Sequence, residues 1–159
     1  MSLPLAISDC LCDTGKCKER GKVCWEADRG QYLHIRVDDN DECVQYLDLV
    51  NLKRADCVIL HLAHDGKIYA CVVEVKTRRY DLDEVKEKME NTLNALDKIL
   101  NFSLIPIPIL YAESHEKWAK RYAFLKKVKY KGLVPITFLK YCESIQKAIE
   151  SAQKAMRRR

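Results

Sequence analysis

Apolar and polar residues alternate through YLHIRV, inside the stretch Gln31 to Asp38, and a period of two predicts a half-buried strand there. The run DDND breaks the pattern, and Cys43 to Leu49 reads as a second strand. Ala55 to Leu62 (ADCVILHL) and Ile68 to Lys76 (IYACVVEVK) are β-rich runs on either side of His64-Asp65-Gly66, which predicts a hairpin. The period then changes to 3.6. Leu82, Val85, Met89, Leu93, Leu96 and Leu100 form one stripe behind Asp81 and Glu84, an N-cap and N3 pair, so a helix of about five turns follows. After it come an expected strand over Leu104 to Ala112 and a helix over Ser114 to Lys127 with Trp118, Tyr122 and Leu125 inward. A short strand at Leu133 to Ile136 and a helix from Thr137 to Met156 complete the reading. A helix over Lys16 to Arg29, weakened by Gly21, would make the order α, several β, α, β, α.

Strands first and alternating helix and strand afterwards predict an α/β or α+β domain, a mixed central β-sheet flanked by helices. A chain of 159 residues suits one such domain. It carries a Cys-containing N-terminal segment, 1–29, and a basic C-terminal part, 114–159. No stretch approaches the ~18 consecutive apolar residues of a membrane span. The start, MSLPLAISDCLCD, lacks the basic region of a signal peptide, so a cytoplasmic location is expected. The net charge of +5 is unevenly distributed. Residues 1–113 hold 15 Lys/Arg against 20 Asp/Glu, whereas 114–159 hold 13 against 3, or +10. An acidic part that holds a divalent cation and a basic part that attracts phosphate fit a metal-dependent enzyme acting on nucleic acid. Lys-rich helices that merely keep a protein soluble produce the same pattern.

The most informative residues are Glu74 and Lys76, at the end of an otherwise apolar strand. Residues i and i+2 share a strand face, so these two point the same way, with Val72, while Cys71, Val73 and Val75 point the other way. Ionised groups are costly to bury unless paired or coordinated. Asp56 is a partner in one register only. A two-residue turn at Asp65-Gly66 would set Asp56 opposite Val75. A three-residue His64-Asp65-Gly66 loop with Gly66 left-handed sets it opposite Glu74. Two adjacent carboxylates repel unless a cation lies between them or one is protonated, so the second register implies a divalent metal site.

Asp56 and, eighteen positions on, Glu74-x-Lys76 on the next strand resemble the PD-(D/E)xK nuclease superfamily, which includes restriction enzymes, archaeal Holliday-junction resolvases and RecB-like nucleases. Ala55 stands where that family usually has Pro. The resemblance implies a restriction-endonuclease-like fold and a magnesium- or manganese-dependent nuclease acting on DNA, with a homodimer as one assembly. It further implies that Asp56, Glu74 and the Val75 backbone carbonyl hold the metal. Lys76 would position the attacking water or steady charge on the phosphate. A further acidic ligand on the first helix would be Glu26, or less favoured Glu19.

Arg78 and Arg79, with Tyr80, follow the motif and are candidates for holding a nucleic-acid backbone or stacking a base. Lys126, Lys127, Lys129 and Lys131 around Tyr130, with the Arg157-Arg158-Arg159 tail, form the best phosphate-contact patch. Cys10, Cys12, Cys17 and Cys24 are spaced to reach zinc, an iron–sulfur cluster or disulfides. The iron–sulfur-bearing RecB-like nucleases split their four cysteines between both ends of the core, unlike this chain. Cys57 and Cys71 read as core residues, Cys43 and Cys142 carry no signal, and His64 reads as a turn residue. His34, His61 and His115 are given no catalytic role. Two other functions stay open: a non-catalytic module binding nucleic acid or a partner on the same fold, and a zinc or iron–sulfur protein built on the N-terminal cysteines.

Overall fold

The computed structural model describes residues 10–11, 32–38, 40–77, 79–115 and 126–157. Strands β1 (Tyr32–Arg36), β2 (Cys57–Leu62), β3 (Ile68–Lys76), β4 (Ile105–Ala112) and β7 (Thr137–Lys140) form one mixed sheet in the order β1-β2-β3-β4-β7. Strand β2 is antiparallel to both β1 and β3, whereas β3, β4 and β7 run parallel. Helix α1 (Asp41–Tyr46) follows β1, α2 (Leu82–Ile99) connects β3 to β4, and α3 (Ile145–Arg157) follows β7. A two-stranded hairpin of β5 (Val128–Lys129) and β6 (Leu133–Val134) stands apart from the sheet.

The hairpin adopts the register that places Asp56 opposite Glu74. Cys57 faces Val73 and Leu62 faces Ile68. Ala63 and Lys67 close a three-residue loop, the Ala63 N–H donating to the Lys67 carbonyl at 3.0 Å. Gly66 takes φ +78, a left-handed conformation that Cβ-bearing residues disfavour. Asp65 fixes the loop further by accepting from the Lys67 N–H at 2.9 Å.

β3 is apolar almost throughout because helices cover both of its faces. Ala70 and Val72 join the α2-side cluster with Val85, Met89, Leu93 and Leu96. Tyr69, Cys71 and Val73 join the α3-side cluster with Ile145 and Ile149. All six residues of the expected α2 stripe are buried. Asp81 caps α2 by accepting from the Asp83 N–H at 2.9 Å, while Glu84 turns to Lys88 instead of reaching back to the cap. Pro106 and Pro108 fit within β4 because, among the described residues, β7 pairs with β4 only from Ile109 onward. Among the described residues, no strand pairs on that side where the proline N–H groups are missing.

Two elements differ from the sequence expectation. Cys43 to Leu49, read as a strand, contains most of α1: Asn40 accepts from the Cys43 N–H at 3.3 Å, and Asp41 and Glu42 fill the first turn. Thr137 to Lys140, read as the start of a helix, is instead β7, because β4 offers a parallel edge that buries Leu139 on the α3 side. Cys142, at φ +66, separates β7 from α3. The expected strand at Leu133 to Ile136 survives as β6, outside the main sheet. The helices expected over 16–29 and over most of 114–127 lie outside the described residues, as do Glu19 and Glu26.

Candidate metal centre

The antiparallel and parallel pairings bring the start of β2 and the ends of β1, β3, β4 and β7 to one edge of the sheet. The carboxyl ends of parallel strands are where open α/β sheets usually place ligands.

Asp56 sits at that edge, one residue before β2, held from several directions. Its backbone carbonyl accepts from the Val37 and Asp38 N–H groups at 3.1 and 3.2 Å. The preceding Ala55 N–H donates to the hydroxyl of buried Thr92 on α2 at 2.8 Å, and that hydroxyl donates to the Lys88 carbonyl. These bonds draw the chain off the sheet toward α2. The Asp56 side chain then fills the vacated ladder position, with Oδ2 accepting the Val75 N–H at 2.7 Å. The N–H and C=O of a strand residue point to the same side, so the Val75 carbonyl also faces Asp56.

Glu74 is 2% exposed and Asp56 6%. Burial, followed by the Asp56 charge and a hydrogen bond to the Asp56 side chain, holds the Glu74 carboxyl well above the ordinary carboxylate range. The second oxygen, Glu74 Oε2, is buried with no hydrogen-bond partner. Two cations lie nearby: Lys76, whose charge acts on Glu74 from the same strand face, and Lys88 of α2, with Nζ 3.6 Å from Oε2. Lys76 is half-buried, and its backbone carbonyl accepts from the Tyr141 hydroxyl just beyond β7.

This donor set fits a small hard cation. Magnesium takes oxygen ligands and keeps several waters, so two carboxylates and a carbonyl suffice, and an unsatisfied buried oxygen is the group such an ion would satisfy. Among the described residues no third His, Cys, Asp or Glu completes the group.

The other expected site residues are dispersed. Arg79 is exposed beyond β3, and Arg78 lies outside the described residues, as do Arg158 and Arg159. The lysine patch is partly engaged by α2: Lys126 pairs with Asp83 at 2.9 Å and Lys131 with Asp97 at 3.2 Å. The Lys129 backbone N–H donates to Glu90 at 2.7 Å, while Lys127 is half-buried. A hydrogen bond from Tyr130 and then Lys131 hold the Asp97 carboxyl below its usual range. The patch therefore fastens the β5–β6 hairpin to α2 as well as adding positive charge.

Of the states expected for the N-terminal cysteines, Cys10 takes the disulfide, but its partner lies outside that group of four. That partner is Cys43, a residue given no role, and the bond ties the N-terminal segment to α1. Both partners are fully buried, and Leu11 bridges to Ile35 on β1. Cys12, Cys17 and Cys24 lie outside the described residues. Cys57 and Cys71 are buried on the α3 side as expected, and burial pushes the Cys71 thiol up to about 12.

Sequence reasoning missed Thr92, Lys88, Glu84 and Tyr141 as contributors. Thr92 had a legible signal, a polar residue inside the α2 stripe between Met89 and Leu93. His115, three residues past β4, donates from Nε2 to the Leu139 carbonyl at 2.7 Å and shares a 3.1 Å hydrogen bond through Nδ1 with the Tyr80 hydroxyl, which braces the same edge. No protein-family model, no curated protein and no solved structure matches the chain.

Proposed function

We propose that the chain is a magnesium-dependent phosphodiesterase acting on DNA, with Asp56 and Glu74 as metal ligands and Lys76 as the positive group beside the attacked phosphate. The observation that carries this reading is the buried Asp56–Glu74 pair. Two carboxylates from adjacent strands face each other, with one buried oxygen unsatisfied and Lys76 on the same face. Two acids side by side are costly where burial penalises charge, and the two nearby lysines still leave Glu74 Oε2 without a hydrogen bond.

Asp56, Glu74 and the Val75 carbonyl would hold the ion, and Asp56 is already oriented by the Val75 N–H. A bound divalent cation supplies Lewis-acid charge at the phosphate and lowers the pKa of water. Lys76 contributes a point charge that offsets the extra negative charge developing on the phosphate oxygens. The Tyr141 hydroxyl, bonded to the Lys76 carbonyl, fixes the strand end from which that side chain projects. The +10 charge of residues 114–159 favours approach of a polyanion without reading its sequence.

The test is incubation of end-labelled linear, branched and single-stranded DNA with the protein in magnesium or in chelator, beside Asp56→Asn. Cleavage that requires magnesium and is lost in Asp56→Asn supports the reading. A wild type that retains every substrate intact in magnesium favours the non-catalytic binding module.

A further inference from the structure

Lys88 has no part in the resemblance that points to Asp56, Glu74 and Lys76, yet it reaches the carboxylate pair from α2. Its Nζ lies 3.6 Å from Glu74 Oε2 and 3.7 Å from Glu84 Oε1. Both distances are within ion-pair range and beyond the 2.7–2.9 Å of a charge-assisted hydrogen bond. The ammonium is thus divided between a fully buried acid and one whose side chain is 41% exposed. Glu74 Oε2 stays without a hydrogen bond. The Asp56 charge also acts on Lys88, and the Lys76 side chain lies within hydrogen-bond reach of its amine from the strand side.

Resting on the proposed metal site, we infer that Lys88 is a resident counter-ion at Glu74, which a divalent cation must displace, and that Glu84 is the position to which the displaced ammonium moves. The i, i+4 order with Glu84 on the N-terminal side is the favourable one for a helical Glu–Lys pair. The move needs only a change of rotamer on α2. Lys88 offsets part of the acid charge while no cation is bound and lowers the site's cation affinity. Lys88 is accordingly a positioning residue that sets when the site loads.

The experiment is calorimetric titration of the full chain with manganese alone, comparing wild type, Lys88→Met, Glu84→Gln and the double variant. Lys88→Met should bind manganese about tenfold more tightly or better, the scale on which one nearby charge alters occupancy of a carboxylate. Glu84→Gln should bind more weakly, because Lys88 then stays on Glu74. In the Lys88→Met background the Glu84 substitution should lose most of its effect, a coupling that a merely structural pair would not show. Equal manganese affinity in wild type and Lys88→Met overturns the inference and leaves the metal site standing. Absence of manganese binding in all four proteins overturns both.

Discussion

The backbone N–H of Val75 donates to Asp56 Oδ2 at 2.7 Å, so a carboxylate occupies the ladder position a backbone carbonyl would hold had β2 continued. The substitution is possible because Thr92 takes the Ala55 N–H away from the sheet. Strand end, helix hydroxyl and carboxylate form one device that places Asp56 beside Glu74.

Thr92→Val tests that device. Valine keeps the volume but leaves the buried Ala55 N–H without an acceptor, and an unsatisfied buried donor costs about 1–3 kcal/mol. Denaturant unfolding should show that loss. A change below about 0.5 kcal/mol, the range of ordinary surface substitutions, would mean the bond does not hold Ala55 in place.

Glu74 gives stability a pH dependence of defined sign. Its folded pKa is raised from 4.5 to about 9, by burial first and by Asp56 next. The folded chain therefore binds more protons than the unfolded chain across that window, and stability falls as pH rises through it in the absence of a divalent cation. Glu74→Gln mimics the protonated acid, so it should flatten the fall and stabilise the protein at pH 8 by on the order of 1 kcal/mol or more. Magnesium at pH 8 should raise the melting temperature of wild type and not of Glu74→Gln. Melting curves from pH 5 to 9 check both, and an unchanged slope in the variant contradicts the assignment.

The hairpin register depends on Gly66. A Cβ at this position meets nothing within 4 Å, so the cost of Gly66→Ala is backbone strain alone at φ +78, about 1–2 kcal/mol. Thermal unfolding measures it. A neutral substitution would show that the left-handed loop is not required.

Reducing the Cys10–Cys43 disulfide, which spans 33 residues, should lower stability by about 3–4 kcal/mol on the chain-entropy estimate. Unfolding of Cys10→Ser/Cys43→Ser against the oxidised chain measures this, and equal stability would show that the N-terminal tether adds nothing.

Much of the site was legible because it depends on short-range rules. Alternation in β3 fixed the shared face of Glu74 and Lys76, and Gly66 in a three-residue loop fixed which residue faced Glu74. Lys88 was not legible, since its approach to Glu74 depends on how α2 lies across the sheet. Thr137 to Lys140 misled for a similar reason: their strand state comes from a parallel edge on β4, supplied by residues far away in the chain. Cys43 to Leu49 carries apolar residues that suit a strand, but Asn40, Asp41 and Glu42 just before it form a helix cap and first turn, and these decide the local structure.

The most direct measurement of the central claim is single-turnover DNA cleavage in magnesium, at saturating protein, by wild type and Lys76→Ala. A positive group that acts mainly as charge builds on the phosphate should lower the rate about 100-fold or more when removed, with little change in DNA affinity. Magnesium-dependent cutting by wild type with that loss in Lys76→Ala is the predicted result. Cutting by Lys76→Ala at the wild-type rate would contradict the mechanism.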